Sequence, residues 1–141
     1  MSVSTSNDPQ ARVYGGRLVG VANSARDARL VIGTLLGFFD VAFGSVQGSG
    51  RYKQIALPRH LCMYLLRIYT RMSFPQIGKT LGGRDHSTVV SACYKAMALR
   101  HDSEQGRTLA SLRSLLEGAG LSPDLGRLPS PRKRPGAPIY E

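Results

Sequence analysis

Residues 82–89, Gly-Gly-Arg-Asp-His-Ser-Thr-Val, carry the pattern that decides the fold of this chain. The glycine pair favours a tight turn, Asp85 is a good helix N-cap, and three polar residues then occupy the first turn of a helix. A shorter helix is predicted before the turn, over residues 73–81. Together these elements predict a helix-turn-helix, a motif that places the N-terminal end of its second helix in the DNA major groove.

Helical signals on both sides of this motif predict an all-α fold. Apolar residues recur at helical spacing over residues 27–42, 85–99 and 105–116, and Pro58 is expected in the first turn of a further helix. Ser73, with Gln76 three residues later, resembles a capping box. The predicted core residues are Leu30, Val31, Thr34, Leu35, Phe38, Phe39, Leu61, Tyr64, Leu65, Ile68, Val89, Val90, Cys93, Met97, Leu109, Leu112, Leu115 and Leu116.

The predicted domain organisation is a single folded unit with two tails. Residues 1–25 have no sustained period and residues 119–141 are rich in proline and arginine, so both are expected to be disordered and flexible. Residues 26–118 are left for a small helical domain of about five helices with the helix-turn-helix at its centre.

The charge of the chain favours a polyanionic partner. The formal net charge is +10, and most of the excess lies within residues 26–118. Nucleic acid is the commonest partner of such a soluble protein, although a solvated basic surface is an open alternative. No run approaches the roughly 20 apolar residues that span a bilayer, and the polar N-terminus lacks an apolar h-region, so no signal peptide is expected. We therefore expect a cytoplasmic, nucleoid-associated protein with reduced core thiols at Cys62 and Cys93.

The predicted DNA-reading residues cluster at the start of the second motif helix. His86, Ser87 and Thr88 suit base contacts, although capping and solvation would also explain them. Arg51 lies in a glycine-flanked loop that suits a narrow minor groove. Arg59, next to Pro58 at the start of the predicted helix, is a further candidate for DNA contact, with an ordinary exposed surface residue as the alternative. The candidates for phosphate neutralisation are Lys53, Arg67, Arg71, Lys79 and Lys95, each of which could instead be an ordinary solvated residue.

The helix-turn-helix and the residues before it resemble a known family. Residues 51–97, with the elements Pro58-Arg59, Ser73-Phe-Pro-Gln-Ile-Gly78 and Gly82-Gly-Arg-Asp-His-Ser-Thr-Val89, look like the C-terminal DNA-binding domain of the bacterial replication initiator DnaA. The similarity extends more weakly over residues 27–117. The resemblance implies binding to a double-stranded DNA box through the helix-turn-helix, with an arginine of the preceding loop in the minor groove.

The resemblance also implies roles for individual residues. Departures from the family are His60, where a base-contacting glutamine is frequent, Leu57 in place of a frequent arginine, and Ser91 in place of histidine; a shifted sequence preference would follow if His60 faces the groove. The implied base contacts are Arg51, Arg59, Asp85, His86, Ser87 and Thr88, and His60 is predicted as a further base contact at its departing position. The implied backbone contacts are Arg67, Ser73, Pro75 and Lys95, and the basic residues Lys53 and Arg84 are predicted as backbone contacts beside them.

Enzymatic chemistry is not expected. Asp85, His86 and Ser87 are contiguous, whereas the members of a hydrolase triad converge from separate positions. The cysteines and histidines lack paired metal-ligand spacing, and residues 73–80 only superficially resemble a P-loop, so neither a metal nor a cofactor is predicted. No sequence here matches the AAA+ module of the initiators, which predicts a stand-alone DNA-binding protein without ATPase activity.

The sequence therefore predicts site-specific binding to double-stranded DNA at sites like the DnaA box, with an effect on replication initiation. A transcriptional regulator with the same fold is one alternative. The other is a protein-interaction module that acts on DnaA or one of its regulators through an apolar face bearing Phe38, Phe39 and Phe43, residues that would otherwise cover the core.

Overall fold

The computed structural model describes residues 16–48 and 53–130, with backbone only for residues 16–24 and for Lys53. The described part is all helical, which confirms the predicted fold class. It contains six helices rather than about five, because a short helix forms where glycines predicted a break. The helices are α1 (Gly16–Phe39), α2 (Phe43–Gln47), α3 (Lys53–Tyr69), α4 (Phe74–Thr80), α5 (His86–Met97) and α6 (Glu104–Gly118), followed by a 3₁₀ turn at Leu125–Arg127.

Helix α1 differs from the predicted helix at both ends. It begins at Gly16, inside the segment that was expected to be flexible, and it ends at Phe39. Asp40 then adopts the left-handed conformation, with a φ of 55°. The Val41 amide consequently donates to the Leu36 carbonyl at 3.1 Å, the long backbone bond of a Schellman motif. This C-cap turns the chain into α2 before the predicted end near Ala42.

Helix α3 is the central element of the core. Its completely buried side chains include Leu61, Met63, Leu65 and Leu66, and Ile68 has a relative exposure of only 1%. Burial all round the helix exceeds the single apolar face predicted from periodicity, because α1, α2, α4, α5 and the 3₁₀ turn all contact it. Both helices of the helix-turn-helix, α4 and α5, therefore pack against α3.

The position of Pro58 was predicted wrongly. Helix α3 already begins at Lys53, so Pro58 lies inside the helix rather than in its first turn. Proline has no backbone N–H, so it cannot donate to the carbonyl of Gln54, four residues earlier. The apolar signal before Pro58 was too short to reveal the extra turn. Pro58 is buried, which shows that packing supports the helix across this position.

Some predicted core residues are exposed. Leu30, Phe38, Met97 and Leu115 have relative exposures of 36%, 43%, 38% and 52%. Helices α5 and α6 each cover the core with a narrower stripe than their apolar pattern suggested, and Leu112 and Leu116 are the fully buried residues of α6. Both Cys62 and Cys93 are buried and free, in agreement with the predicted core thiols.

The chain folds back on α3 after α6. Leu121 is only 9% exposed, and Leu128 packs against the core cluster. The Asp124 amide donates to the Ile68 carbonyl at 2.7 Å. Residues 121–130 are thus attached to the domain, although their composition predicted a flexible tail starting at residue 119. The remainder of the two predicted tails, residues 1–15 and 131–141, lies outside the described residues.

Candidate nucleic-acid interface

Helix α5 begins with a side-chain cap. Asp85 has an extended backbone, and its carboxylate accepts a hydrogen bond from the Ser87 amide at 3.0 Å, which confirms the predicted N-cap. The Ser87 hydroxyl also donates to this carboxylate. These bonds from Ser87 hold the pKa of Asp85 below its usual value. Asp85 therefore stays ionised at neutral pH and leaves the exposed end of α5 firmly capped.

The first turn of α5 presents polar side chains to the outside. His86, Ser87 and Thr88 are all exposed, and the His86 Nδ1 lies 3.7 Å from the Asp85 Oδ1. Their neighbour Val89 is completely buried and fixes the helix against the domain. Imidazole and hydroxyl groups at this position are able to hydrogen-bond to base edges, while the remaining amides of the first turn favour phosphate.

The outward face of α5 continues beyond its first turn. Val89, Ala92, Cys93 and Ala96 form the buried face. At 3.6 residues per turn, the opposite face bears Ser87, Ser91 and Tyr94, flanked by Thr88 and Lys95. We call these five residues the α5 outer face. The family resemblance singled out Ser91 as a departure from histidine, and the structure places it at the centre of this face.

Close backbone contacts require glycine at two positions, one inside α4 and one in the turn between α4 and α5. A Cβ added at Gly78 would lie 2.1 Å from the Arg84 carbonyl oxygen, so α4 and the turn approach too closely for any side chain. The Arg84 amide donates to the Gly78 carbonyl at 2.8 Å across this contact. Gly82 has a φ of 94°, and a Cβ there would lie 2.0 Å from the Gln47 carbonyl oxygen. These close contacts fix the orientation of α5 relative to α4.

Arg59 and Arg84 bind the C-terminal end of α2. The Arg59 guanidinium donates to the carbonyls of Val46, Ser45 and Gly48 at 2.9, 3.2 and 3.1 Å. Arg84 donates to Gln47 and Gly48 at 3.0 and 2.5 Å, and also to Leu81. Burial, and secondarily the neighbouring Arg84, lower the pKa of Arg59. Both guanidinium groups therefore cap the C-terminal end of α2.

The predicted minor-groove residue follows this capped helix. Gly48 is the last described residue before the gap, and Arg51 lies outside the described residues, as does the side chain of Lys53. The structure thus shows how the start of the loop is anchored, through Gly48, and leaves the role of Arg51 a prediction.

His60 and Lys95 line one flank of the interface. They border an open cavity of about 520 Å³ between α3 and α5, together with Ala56, Leu57, Leu99 and Gln105. His60 is half-buried, and burial is the main cause that lowers its pKa, followed by the charges of Lys95 and Arg59. A neutral His60 carries one N–H donor and one acceptor nitrogen at separate positions of its ring, whereas a glutamine carries donor and acceptor together on one terminal amide.

The other flank is formed by α4 and the end of α3. The Ser73 side chain accepts from the Gln76 amide at 3.2 Å, and the Gln76 side chain accepts from the Ser73 amide at 2.9 Å, which confirms the capping box. Pro75 lies in the first turn of α4 and is exposed, as are Lys79 and Arg71. This flank suits contacts to a DNA backbone.

Arg67, a predicted DNA-backbone contact, makes several contacts within the protein itself. Its guanidinium lies 3.8 Å from the centre of the Phe74 ring and donates to the carbonyls of Arg127 and Met72 at 2.6 and 3.2 Å. Burial and the adjacent Arg127 lower its pKa. Arg67 therefore links α3, the start of α4 and the C-terminal segment, and a backbone contact from it stays a prediction.

Two residues near the interface were missed by the sequence reasoning. Arg127 donates to the carbonyls of Arg67 and Met72 at 2.9 and 2.5 Å, and the Tyr94 hydroxyl donates to the Ser130 carbonyl at 2.5 Å. All three bonds join segments that are far apart in the sequence. No local pattern reveals such contacts, although the outward position of Tyr94 follows from its spacing of seven residues from Ser87.

Other kinds of site find little support in the described ranges. Residues 16–48 and 53–130 contain no group of three or more His, Cys, Asp or Glu side chains arranged to hold a metal ion. Within the same part of the chain, the helices are all too short or too polar to cross a membrane.

The fold and the exposed, capped helix end together define a helix-turn-helix domain. The family model described as the bacterial DnaA protein helix-turn-helix matches residues 29–96. These residues form a DnaA-type domain, which confirms the resemblance seen in the sequence.

Curated relatives agree with this assignment. The chain is 40% identical over 87 residues to the chromosomal replication initiator protein DnaA of Roseiflexus castenholzii, covering 61% of this chain and 18% of the relative. It is 49% identical over 70 residues to the protein of the same name from Thermus thermophilus, covering 50% and 16%. The chain thus spans less than a fifth of the length of these relatives, and the homology supports DNA binding in the initiator family.

Proposed function

We propose that this chain binds double-stranded DNA sequence-specifically, at sites resembling the DnaA box, and that it thereby modulates replication initiation. The observation that carries the proposal is the exposed polar turn of His86, Ser87 and Thr88 at a capped helix end, in a domain of the initiator family. Binding of this kind would place the protein on the nucleoid, where it would occupy initiator boxes and compete with or assist DnaA.

The proposed mechanism divides the surface into reading and anchoring parts. The first turn of α5 enters the major groove, and its side chains discriminate base pairs by hydrogen bonds. Ser87 would exchange its bond to Asp85 for a base, since its hydroxyl now donates to that carboxylate. Backbone contacts from Ser73 and Pro75 on one side of α5 and from Lys95 on the other would fix its register on the duplex.

Arg51 and His60 complete the proposed reading surface. Arg51 would enter the minor groove from the loop that follows Gly48. His60, which borders the same flank as Lys95, would replace the family's glutamine and alter the preferred base at its position.

The test is equilibrium binding by fluorescence anisotropy. The chain is titrated into a labelled duplex with a DnaA box, with a scrambled duplex of equal length as competitor, at several salt concentrations. We expect preference for the box and a slope of log K against log salt of about −4 to −6, if about five to seven phosphates are neutralised. Equal binding to both duplexes would contradict the proposal and favour a basic surface without base recognition.

One observation favours a second candidate function, binding to a protein partner. The Phe38 ring is 43% exposed and contacts the partly buried Phe39 edge-on, with ring centres 5.4 Å apart. DnaA or one of its regulators would be the partner. Phe39 and Phe43 pack against the core, so a variant Phe38→Ser should fold normally, and loss of DnaA binding without loss of DNA binding would support this candidate.

A further inference from the structure

Arg127 lies beside the first helix of the helix-turn-helix, although it comes long after that helix in the sequence. Its Nη2 donates to the carbonyl of Met72 at 2.5 Å, and Met72 directly precedes Ser73, the N-cap of α4. The first helix of a helix-turn-helix crosses the DNA backbone while the second lies in the major groove. Arg127 therefore occupies a part of the domain where a DNA backbone is expected. The match to the DnaA-type domain ends at residue 96, so this arginine lies outside the matched region.

Contacts on both sides of Arg127 hold it in this position. The Asp124 amide donates to the Ile68 carbonyl at 2.7 Å, and Leu128 packs against the core cluster. The Arg127 Nε donates to the Arg67 carbonyl at 2.9 Å. Two nitrogens of the guanidinium are thus already fixed, which reduces the side-chain entropy that binding of a ligand would otherwise cost.

Arg67 and Arg127 bring two guanidinium groups together. The Arg67 Nε donates to the Arg127 carbonyl at 2.6 Å, and the Arg67 Nη1 shares the Met72 carbonyl with Arg127, at 3.2 Å. Burial is the main cause that lowers the pKa of Arg67, and the charge of Arg127 is the next. Because like charges that meet at one carbonyl repel each other, an anion bound beside both groups would relieve this repulsion.

Acidic side chains do not neutralise this pair of arginines. Neither Arg67 nor Arg127 belongs to an ion pair within residues 16–48 and 53–130. Asp124 raises the pKa of Arg67, but it is the smallest of the causes that act on that pKa. The Oδ1 atom of Asp124 accepts a hydrogen bond from the Gly126 amide at 3.1 Å. The surface at the start of α4 is therefore electropositive.

Both guanidinium groups keep donors for a ligand. A guanidinium can donate from each of its nitrogens. In the part of the chain that the structure describes, the Nη2 of Arg67 and the Nη1 of Arg127 make no hydrogen bond, and both side chains are partly exposed. Planar guanidinium donors match the oxygens of a phosphate in geometry as well as in charge.

We propose that Arg127 is a phosphate-binding residue of the DNA interface, and that it acts with Arg67 on the DNA backbone beside the start of α4. The inference rests on the proposed DNA-binding function, and it adds a contact from outside the region that matches the family. A phosphate contact carries no information on base sequence. Arg127 therefore increases the affinity for any duplex and leaves the choice between duplexes to α5.

The first test is the salt dependence of DNA binding in Arg127→Gln. Each neutralised phosphate contributes about 0.9 to the slope of log K against log salt, so we expect the slope to become shallower by about that amount. The ratio of affinities for box and scrambled duplex should stay unchanged. An unaltered slope would overturn the inference.

The matched control for net charge is Arg29→Gln. It also removes one exposed positive charge, from α1, which packs against α3 and α6. Its slope should equal that of the unmodified chain. If Arg29→Gln and Arg127→Gln change the slope equally, the effect comes from net charge alone and the inference fails.

The variant Arg127→Lys separates binding of phosphate from attachment of the C-terminal residues. Lysine keeps the positive charge but cannot make the paired bonds of the guanidinium to the Arg67 and Met72 carbonyls. A merely structural role of Arg127 therefore predicts the same loss of slope in Arg127→Lys and Arg127→Gln. We expect Arg127→Lys to retain the steeper slope, and equal slopes in the two variants would contradict a phosphate contact.

The most specific test removes the negative charge from the DNA instead. Single phosphates of the duplex are replaced in turn by neutral methylphosphonates, and binding of the unmodified chain and of Arg127→Gln is compared at each position. We expect a position where the replacement weakens binding of the unmodified chain but not of Arg127→Gln. Equal losses in the two proteins at every position would overturn the inference. The box-to-scrambled ratio of the unmodified chain tests the proposed function by itself, so the two ideas can fail separately.

Discussion

Arg59 has a structural role at the end of α2 in addition to its predicted role in base recognition. Its guanidinium makes three hydrogen bonds to carbonyls at the end of α2. A change in DNA binding on mutation would therefore mix a lost base contact with a displaced loop. The family resemblance describes the DNA-bound role, while the structure shows what the same side chain does without DNA.

We expect Arg59→Lys to destabilise the folded domain. Lysine keeps the charge but is unable to reach the carbonyls of Ser45, Val46 and Gly48 at once, and unmade hydrogen bonds to a charged donor cost about 1–3 kcal/mol. The measurement is urea unfolding followed by circular dichroism. A free energy of unfolding equal to that of the unmodified chain would show that the α2 contacts contribute no stability.

His60 should make stability depend on pH in the mildly acidic range. Burial, Lys95 and Arg59 hold its folded pKa below the ordinary 6.5. As pH falls below 6.5, the unfolded chain takes up a proton that the folded state resists, so stability is greatest above 6.5 and falls as pH drops through the folded pKa. In the variant His60→Gln, the melting temperature should change less between pH 7 and pH 5. Identical pH profiles for the two proteins would contradict this origin of the effect.

At the scale of the element, the helix-turn-helix depends on one close backbone contact. Gly78 in α4 faces the Arg84 carbonyl with no space for a methyl group, while Gly33 in α1 has no atom within 4 Å of an added Cβ. The same substitution is therefore expected to have opposite effects in the two helices.

We expect Gly78→Ala to cost about 1–3 kcal/mol of stability, because the turn must move to admit the methyl group. Gly33→Ala should instead be neutral or stabilise by about 0.5–1 kcal/mol, since alanine loses less backbone entropy in a helix. Both values come from urea unfolding of the two variants beside the unmodified chain. A Gly78→Ala variant as stable as Gly33→Ala would contradict the close contact between α4 and the turn.

The elements differ in how far the sequence predicts them. The capping residues Ser73, Gln76 and Asp85 and the glycines of the turn act over a few positions, so α4 and the start of α5 could be predicted from local patterns. Helix α2 and the early start of α3 have no such signal. Phe43–Gln47 contains a glycine and no side-chain cap, and it is held by Arg59 and Arg84 from elsewhere in the fold.

At the scale of the whole molecule, residues 121–130 show why composition alone wrongly predicted a flexible tail after α6. Proline and glycine are as frequent there as in a flexible tail, and the docking bonds of Asp124, Arg127 and Ser130 are made to α3, Met72 and α5. The candidate site was predictable where it is local, at His86, Ser87 and Thr88. Its flanks depend on tertiary contacts that the sequence does not display.

Truncation should separate the two parts of the C-terminal region. Removing residues 121–141 deletes Leu121 and Leu128 from the core, and we expect a loss of about 2–4 kcal/mol of stability for these apolar contacts. Removing only residues 131–141 should leave the free energy of unfolding unchanged. Equal stability of both truncated proteins in urea unfolding would show that residues 121–130 are not part of the folded domain.

The most direct test of the central claim, that the first turn of α5 reads base sequence, is the discrimination between box and scrambled duplex in Thr88→Ala. The matched control is Ser111→Ala, which removes an exposed hydroxyl from α6, outside the proposed interface. We expect Thr88→Ala to lose on the order of 1–3 kcal/mol of discrimination in competitive anisotropy while its affinity for scrambled duplex and its stability are retained. Discrimination equal to that of the unmodified chain and of Ser111→Ala would contradict the claim.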